Sequence, residues 1–159
     1  MIEVEITDDV QAKAKAIVNG KFSDNGNLIS AIGAVVVADY YGVDVVEGFK
    51  GREATCDMVV GDKKIYVGSK QIKWAGPPRI DFEASVGKST LGAVEADQYI
   101  FVSLSNFDKA YIMGGVDVDE FLDKSTFLPE GTVDPVNGYV NRKNSYNISD
   151  ETLHDLRAL

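Results

Sequence analysis

Between residues 10 and 18 the apolar positions Val10, Ala14, Ile17 and Val18 stand at i, i+4, i+7 and i+8, which is one face of an α-helix. Asp8 precedes them as a side chain suited to accept from the free amides of a first turn, and Gly20 is suited to end the helix. After the polar, turn-forming SDNGN (23–27), the segment LISAIGAVVVADYYG (28–42) is apolar almost throughout. Its Val35-Val36-Val37 triplet would suit a strand, but the length of the run and its stop at Gly42 predict a buried helix.

Strand character follows. VDVVEGF (43–49) alternates weakly, and ATCDMVV (54–60) and KIYVGSKQIKW (64–74) flank a Gly61-Asp62-Lys63 turn as a hairpin. Pro77-Pro78 breaks the chain before RIDFEASV (79–86), an expected extended segment. QYIFVSLS (98–105) and KAYIMGGV (109–116) form a second hairpin around Asn106-Phe107-Asp108. Asp117 or Asp119 can cap a short helix EFLDKS (120–125), and Ser149-Asp150-Glu151 opens a C-terminal helix over TLHDLRAL with Arg157 near its far end. Two helices, several strands and further short helices predict an α/β (α+β) fold with a central mixed β-sheet flanked by helices. With neither internal repeats nor a linker-like stretch, residues 1–159 are expected to form a single domain.

Charge changes the picture in one respect. Sixteen Lys and Arg stand against 25 Asp and Glu, a net −9, which argues against coating nucleic acid by bulk charge while leaving room for a local basic site. A lone Cys56 allows no internal disulfide, the acidic start MIEVEITDDV lacks the features of a signal peptide, and no apolar run is long enough to span a membrane. The expectation is a cytoplasmic (intracellular) protein without a membrane partner.

Candidate chemistry narrows by subtraction. His154 is the sole histidine, expected to serve packing or the surface, and Cys56 lies among apolar neighbours as an inert thiol. Clusters of Cys and His that would hold zinc do not occur. VGKSTLG (86–92) contains the Gly-Lys-Ser-Thr end of a phosphate-binding loop, but Phe82 stands where the upstream glycine should be. A carboxylate site for a hard cation is what remains.

The succession of a Gly-containing helix at 28–42, Asp57, KIYVGSK, Pro-Pro, RIDFEASV and DQYIFVSLS resembles the PD-(D/E)XK nuclease superfamily, notably its small phage-type and environmental members. The tail EFLDKSTFLPEGTVDPVNGY with SYNISDETLHDL extends the likeness from about Asn27 to the C-terminus. The resemblance implies a restriction-endonuclease-like fold, DNA as the partner, and Mg²⁺ held by carboxylates of adjoining strands to activate a water. It makes Asp57 the first acid and metal ligand. Tyr66 then stands where the second acid belongs, Gly68 where the lysine belongs, and Ala34 where a helix glutamate is often found. Lys70 lies one pleat beyond Gly68 on the same strand face and can reach back about 6 to 7 Å as a relocated lysine.

Lys63, Lys64, Lys70, Lys73 and Arg79, with Trp74 beside Lys73, make a basic stretch that reads either as a solvated strand face or as a DNA-contacting surface. Arg142, Lys143 and Asn144 can add to a phosphate-binding rim. Three functions compete on this reading. The first is a nuclease-fold protein that has largely lost cleavage. The second is an active, divergent Mg²⁺-dependent endonuclease using Asp57 and Lys70 with Asp81 or Glu83. The third is an acidic DNA mimic or protein-interaction module. A homodimer is compatible with each.

Overall fold

A computed structural model describes residues 1–18, 25–46, 55–78, 83–106, 108–133, 138 and 140–158, with side chains at all of these except 25–27 and 83. The strands are β1 (Ile2–Glu5), β2 (Met58–Val60), β3 (Lys63–Ile72), β4 (Glu83–Gly87), β5 (Gln98–Ser105), β6 (Lys109–Asp117), β7 (Thr126–Leu128) and β8 (Ser145–Ser149). The helices are α1 (Asp8–Val18), α2 (Asn25–Tyr41), α3 (Lys88–Ala93) and α4 (Val118–Lys124). Among the described residues no helix is long and apolar enough to cross a membrane.

Strands β1-β6-β5-β3-β2 form a five-stranded mixed sheet in that order, and β4-β8-β7 form a second, three-stranded sheet. Within the large sheet only β3 and β5 run parallel, so the chain between them must cross over, and that crossover carries β4 and α3. Both expected hairpins are present: β2 and β3 pair across Gly61-Asp62, and β5 pairs with β6. β5 and β6 are buried along nearly their whole length because both faces of the sheet are covered.

On one face, α1 and α2 pack over Ile65, Val67, Ile100, Val102, Leu104 and Ile112. Val10, Ala14 and Val18 point inward from α1, as the periodicity requires, although its first turn is capped by Thr7 rather than Asp8: Val10 N–H donates to Thr7 Oγ1 at 3.2 Å. Residues 31–38 of α2 are all buried, which is why that segment is apolar on every side. The opposite face carries Tyr99, Phe101, Tyr111 and Met113 against Phe121 of α4 and Ala84, Val86 and Ile148 of the second sheet.

Several expectations are corrected. Residues 43–46 have no regular structure, and the rest of the strand expected over 43–49 lies outside the described residues. The strand expected over 54–60 is limited to 58–60, so Cys56 and Asp57 occupy a bend leading into β2. The C-terminal segment forms 3₁₀ turns at Asp150–Thr152 and Leu156–Ala158 instead of an α-helix. Between them His154 is held extended, exchanging both backbone hydrogen bonds with Gly115 at 2.8 Å, so pairing with the sheet displaces helical pairing. The sequence pattern predicts neither β1, β7 and β8 nor α3.

Candidate functional site

Period-two alternation divides β3. Ile65 and Val67 face the helices, and Tyr66, Gly68 and Lys70 face the second sheet, paired with Tyr99, Phe101 and Ser103 of β5. The crossover after β3 brings β4 over this second face, and a cavity of about 240 Å³ lies between them. Tyr66, Gly68, Lys70 and Phe101 contribute from the large sheet, and Ser85 and Gly87 of β4, Thr90 of α3 and Lys143 come from the other side. A wider depression of about 480 Å³ continues it outward through Asn141 and Arg142, and Lys70, Ser85 and Lys143 line both. Lys143 is drawn in over Gly87, its Nζ 3.3 Å from where a Cβ at that glycine would sit.

The floor is aromatic. Tyr66 and Tyr99 meet edge to face with centroids 5.7 Å apart, Tyr99 meets Phe121 at 5.1 Å, and Phe101 stacks on Phe121 at 6.1 Å. A Cβ at Gly68 would come within 2.9 Å of the Phe101 ring, so the position expected to hold the lysine is filled from β5. Burial, and then the charge on Asp57, push the Tyr66 phenol well above its ordinary pKa, so this group stays protonated and cannot substitute for a carboxylate. Burial likewise raises the thiol of Cys56, consistent with an inert role.

Asp57 is 2% exposed and is absorbed into the sheet edge. Its Oδ2 accepts from the Val67 N–H at 2.7 Å, its own N–H donates to Ile65 O at 2.8 Å, and its carbonyl accepts from Val46 N–H at 2.8 Å. Ala34 is fully buried in the core on the helix side of the sheet. The Mg²⁺ that the resemblance implies finds a poor donor set: a phenol at 66, a glycine at 68, and an acid at 57 bonded to a backbone amide. Among the described residues no group of three or more His, Cys, Asp or Glu side chains could hold a metal ion.

The basic stretch seen in the sequence is divided by the strand that carries it. Lys64, the second residue of β3, has its N–H bonded to Asp97 Oδ2 at 2.8 Å and its Nζ 3.7 Å from Glu95, and Lys63 borders an acidic depression with Asp97, Asp117, Asp119 and Glu120. Six residues along an extended strand put Lys70 about 20 Å from Lys64. Lys73 is exposed just beyond β3, and Trp74 spends its indole N–H on Pro77 O at 2.8 Å within the following turn. Arg79, Asp81 and Glu47 lie outside the described residues, as does the side chain of Glu83.

Structure therefore unites Tyr66, Gly68 and Lys70 with Lys143, and separates them from Lys63 and Lys64. Ser85, Gly87 and Thr90 were missed as site residues. For Gly87 and Thr90 the signal lay in VGKST: the string is no phosphate loop, yet both residues reach the cavity while Lys88 lies over the Phe127 ring, 5.8 Å from its centroid. His154 is at the surface, its Nε2 2.9 Å from Glu120 Oε2. Comparison with known proteins finds no matching family model, no matching curated protein and no matching solved structure.

Proposed function

We propose that this chain is a nuclease-fold protein that binds nucleic acid through its cleft without hydrolysing it. One observation carries the reading: the two positions where the resemblance requires an acid and a lysine are built into an aromatic floor, Tyr66 against Tyr99 and Gly68 against the Phe101 ring. Asp57, the acid that remains, is buried and accepts from the Val67 amide through Oδ2, which ties it to the sheet edge. Phosphodiester hydrolysis by the metal route needs carboxylates converging on a cation, and neither Tyr66 nor Gly68 supplies one. Lys70, Arg142 and Lys143 retain what phosphate contact requires, and a cationic cleft of this kind counts against a DNA mimic.

The test is incubation of the full chain with supercoiled plasmid in Mg²⁺ or Mn²⁺, beside a binding titration with the same DNA in EDTA at low salt. Binding without nicking is expected. Robust nicking that Asp57→Ala abolishes would overturn the reading in favour of the divergent endonuclease.

A further inference from the structure

Resting on that nucleic-acid reading, we propose that the antiparallel ribbon between β7 and β8, residues 131–133 against 140–141, enters the major groove of a DNA duplex while Arg142 and Lys143 at its foot hold the flanking phosphates. A cavity of about 240 Å³ does not admit a duplex, so a duplex is met by what stands around the mouth. The depression of about 480 Å³ that continues the cavity outward is lined by Val140, Asn141, Arg142 and Lys143, which are one side of this ribbon and its foot.

Pairing defines the ribbon. Val133 and Val140 form an antiparallel bridge, Gly131 N–H donates to Asn141 O at 2.8 Å, and Asn141 N–H donates to Thr132 O at 2.8 Å. Gly131 and Thr132 thus oppose the single residue Asn141, the two-against-one arrangement of a bulge, with Gly131 in a left-handed conformation at φ 83°. The foot is anchored by the Asn141 side chain, whose Nδ2 donates to Leu128 O at 2.7 Å, Lys143 O at 2.6 Å and Ser145 Oγ at 2.9 Å. A ribbon fixed at its foot loses less freedom when it binds.

The surface of the ribbon matches a groove. Val133 and Val140 are 57% and 60% exposed, and as a directly opposed pair they share one face, so two apolar side chains stand together in solvent. Arg142 and Lys143 are exposed next to them. Apolar side chains beside cations suit base edges beside phosphates: the valines can meet thymine methyl groups, and the cations phosphate oxygens. A major groove about 12 Å wide admits a two-stranded ribbon, and a minor groove about 6 Å wide does not. The carboxylates of Asp97, Asp117, Asp119 and Glu120 gather around a different depression, with Lys63 at the other end of β3.

The experiment is fluorescence anisotropy of the full chain with a labelled duplex about two helical turns long, titrated at several salt concentrations. A second duplex carries glucosylated 5-hydroxymethylcytosine in place of cytosine; its sugars fill the major groove and leave the phosphates unchanged. Arg142→Ala and Lys143→Ala should each weaken binding and lower the salt slope by about 1. The double variant Val133→Ser, Val140→Ser should weaken binding about threefold or more at an unchanged slope, because it removes apolar contact and no charge. The unaltered chain should lose at least as much on the glucosylated duplex. Lys15→Ala, at an exposed position of α1, should leave the slope as it is.

Duplex binding that survives both the valine substitutions and glucosylation at full affinity overturns the inference, even if Arg142→Ala or Lys143→Ala lowers the slope, and leaves nucleic-acid binding standing. The glucosylated duplex is read with the unaltered chain, so that arm holds whatever the substitutions do to stability. No binding of either duplex at low salt overturns the nucleic-acid reading and the inference with it.

Discussion

Asp57 and Gly68 show how one residue identity can support opposite roles. The family resemblance casts Asp57 as a metal ligand, and in the structure its carboxylate accepts the Val67 N–H at 2.7 Å and ties the bend before β2 to β3. Replacing it with Ala withdraws that acceptor from a buried amide, and the expected cost is about 1 to 3 kcal/mol. Asp57→Asn keeps an oxygen able to accept and should cost less; urea denaturation midpoints of the two variants check the order. Gly68, where the resemblance would place a lysine, has no room for one, because a Cβ there would press on the Phe101 ring at 2.9 Å. The double variant Tyr66→Glu, Gly68→Lys should therefore lose about 1 to 3 kcal/mol, with overpacking at position 68, instead of creating a metal site. Chemical denaturation reads the loss, and Mg²⁺ calorimetry should show no binding.

Elements whose pairing is local were legible in the sequence. The Val10, Ala14, Val18 face of α1, the buried α2 and the β2-β3 and β5-β6 hairpins all follow from periodicity and turn residues close in the chain. β8 was not legible, because Ser145 and Asn147 are polar yet buried, their side chains engaged with Asn141 and with each other. The C-terminal residues carry a helix-like start that Ser149 does use, its Oγ accepting from Glu151 N–H at 3.4 Å, but Gly115 of β6 then captures His154. At the α2-β3 contact, a Cβ on Gly33 would collide with Ser69 Oγ and meet Ser69 Cβ at 2.9 Å. Gly33→Ala should push the helix off the sheet and cost about 1 to 3 kcal/mol, read from the thermal or urea midpoint. Adding Ser69→Gly, which clears both atoms, should reduce the loss attributable to that collision.

Across the whole molecule, the end of the chain is fastened by ion pairs with a definite pH dependence. Asp155 accepts from Arg157 through both oxygens, at 2.8 and 2.7 Å, and from the Met1 amine at 2.7 Å, which holds its carboxyl far below the usual carboxylate range. Glu120 is lowered too, by Lys124 first and then by His154. A carboxyl depressed in the folded state adds stability that is present at neutral pH and lost as the pH falls through the carboxylate range. The urea midpoint should drop as the pH falls below about 5 and keep falling under pH 3, because the loss runs from the unfolded carboxylate value down towards the depressed folded one, and Asp155→Asn should flatten that slope. What the sequence determined by itself was local: helix faces, hairpins, a mixed α/β composition, and the alternation that puts Tyr66, Gly68 and Lys70 on one side of a strand. Tertiary structure alone decided what lies opposite them. The parallel β3-β5 pair forces a crossover, the crossover lays β4 over the strand, the pairing of β8 with β4 brings Lys143 to the same cavity, and the Phe101 ring crowds Gly68. Those contacts join residues far apart in the chain, and no period within a single segment encodes them.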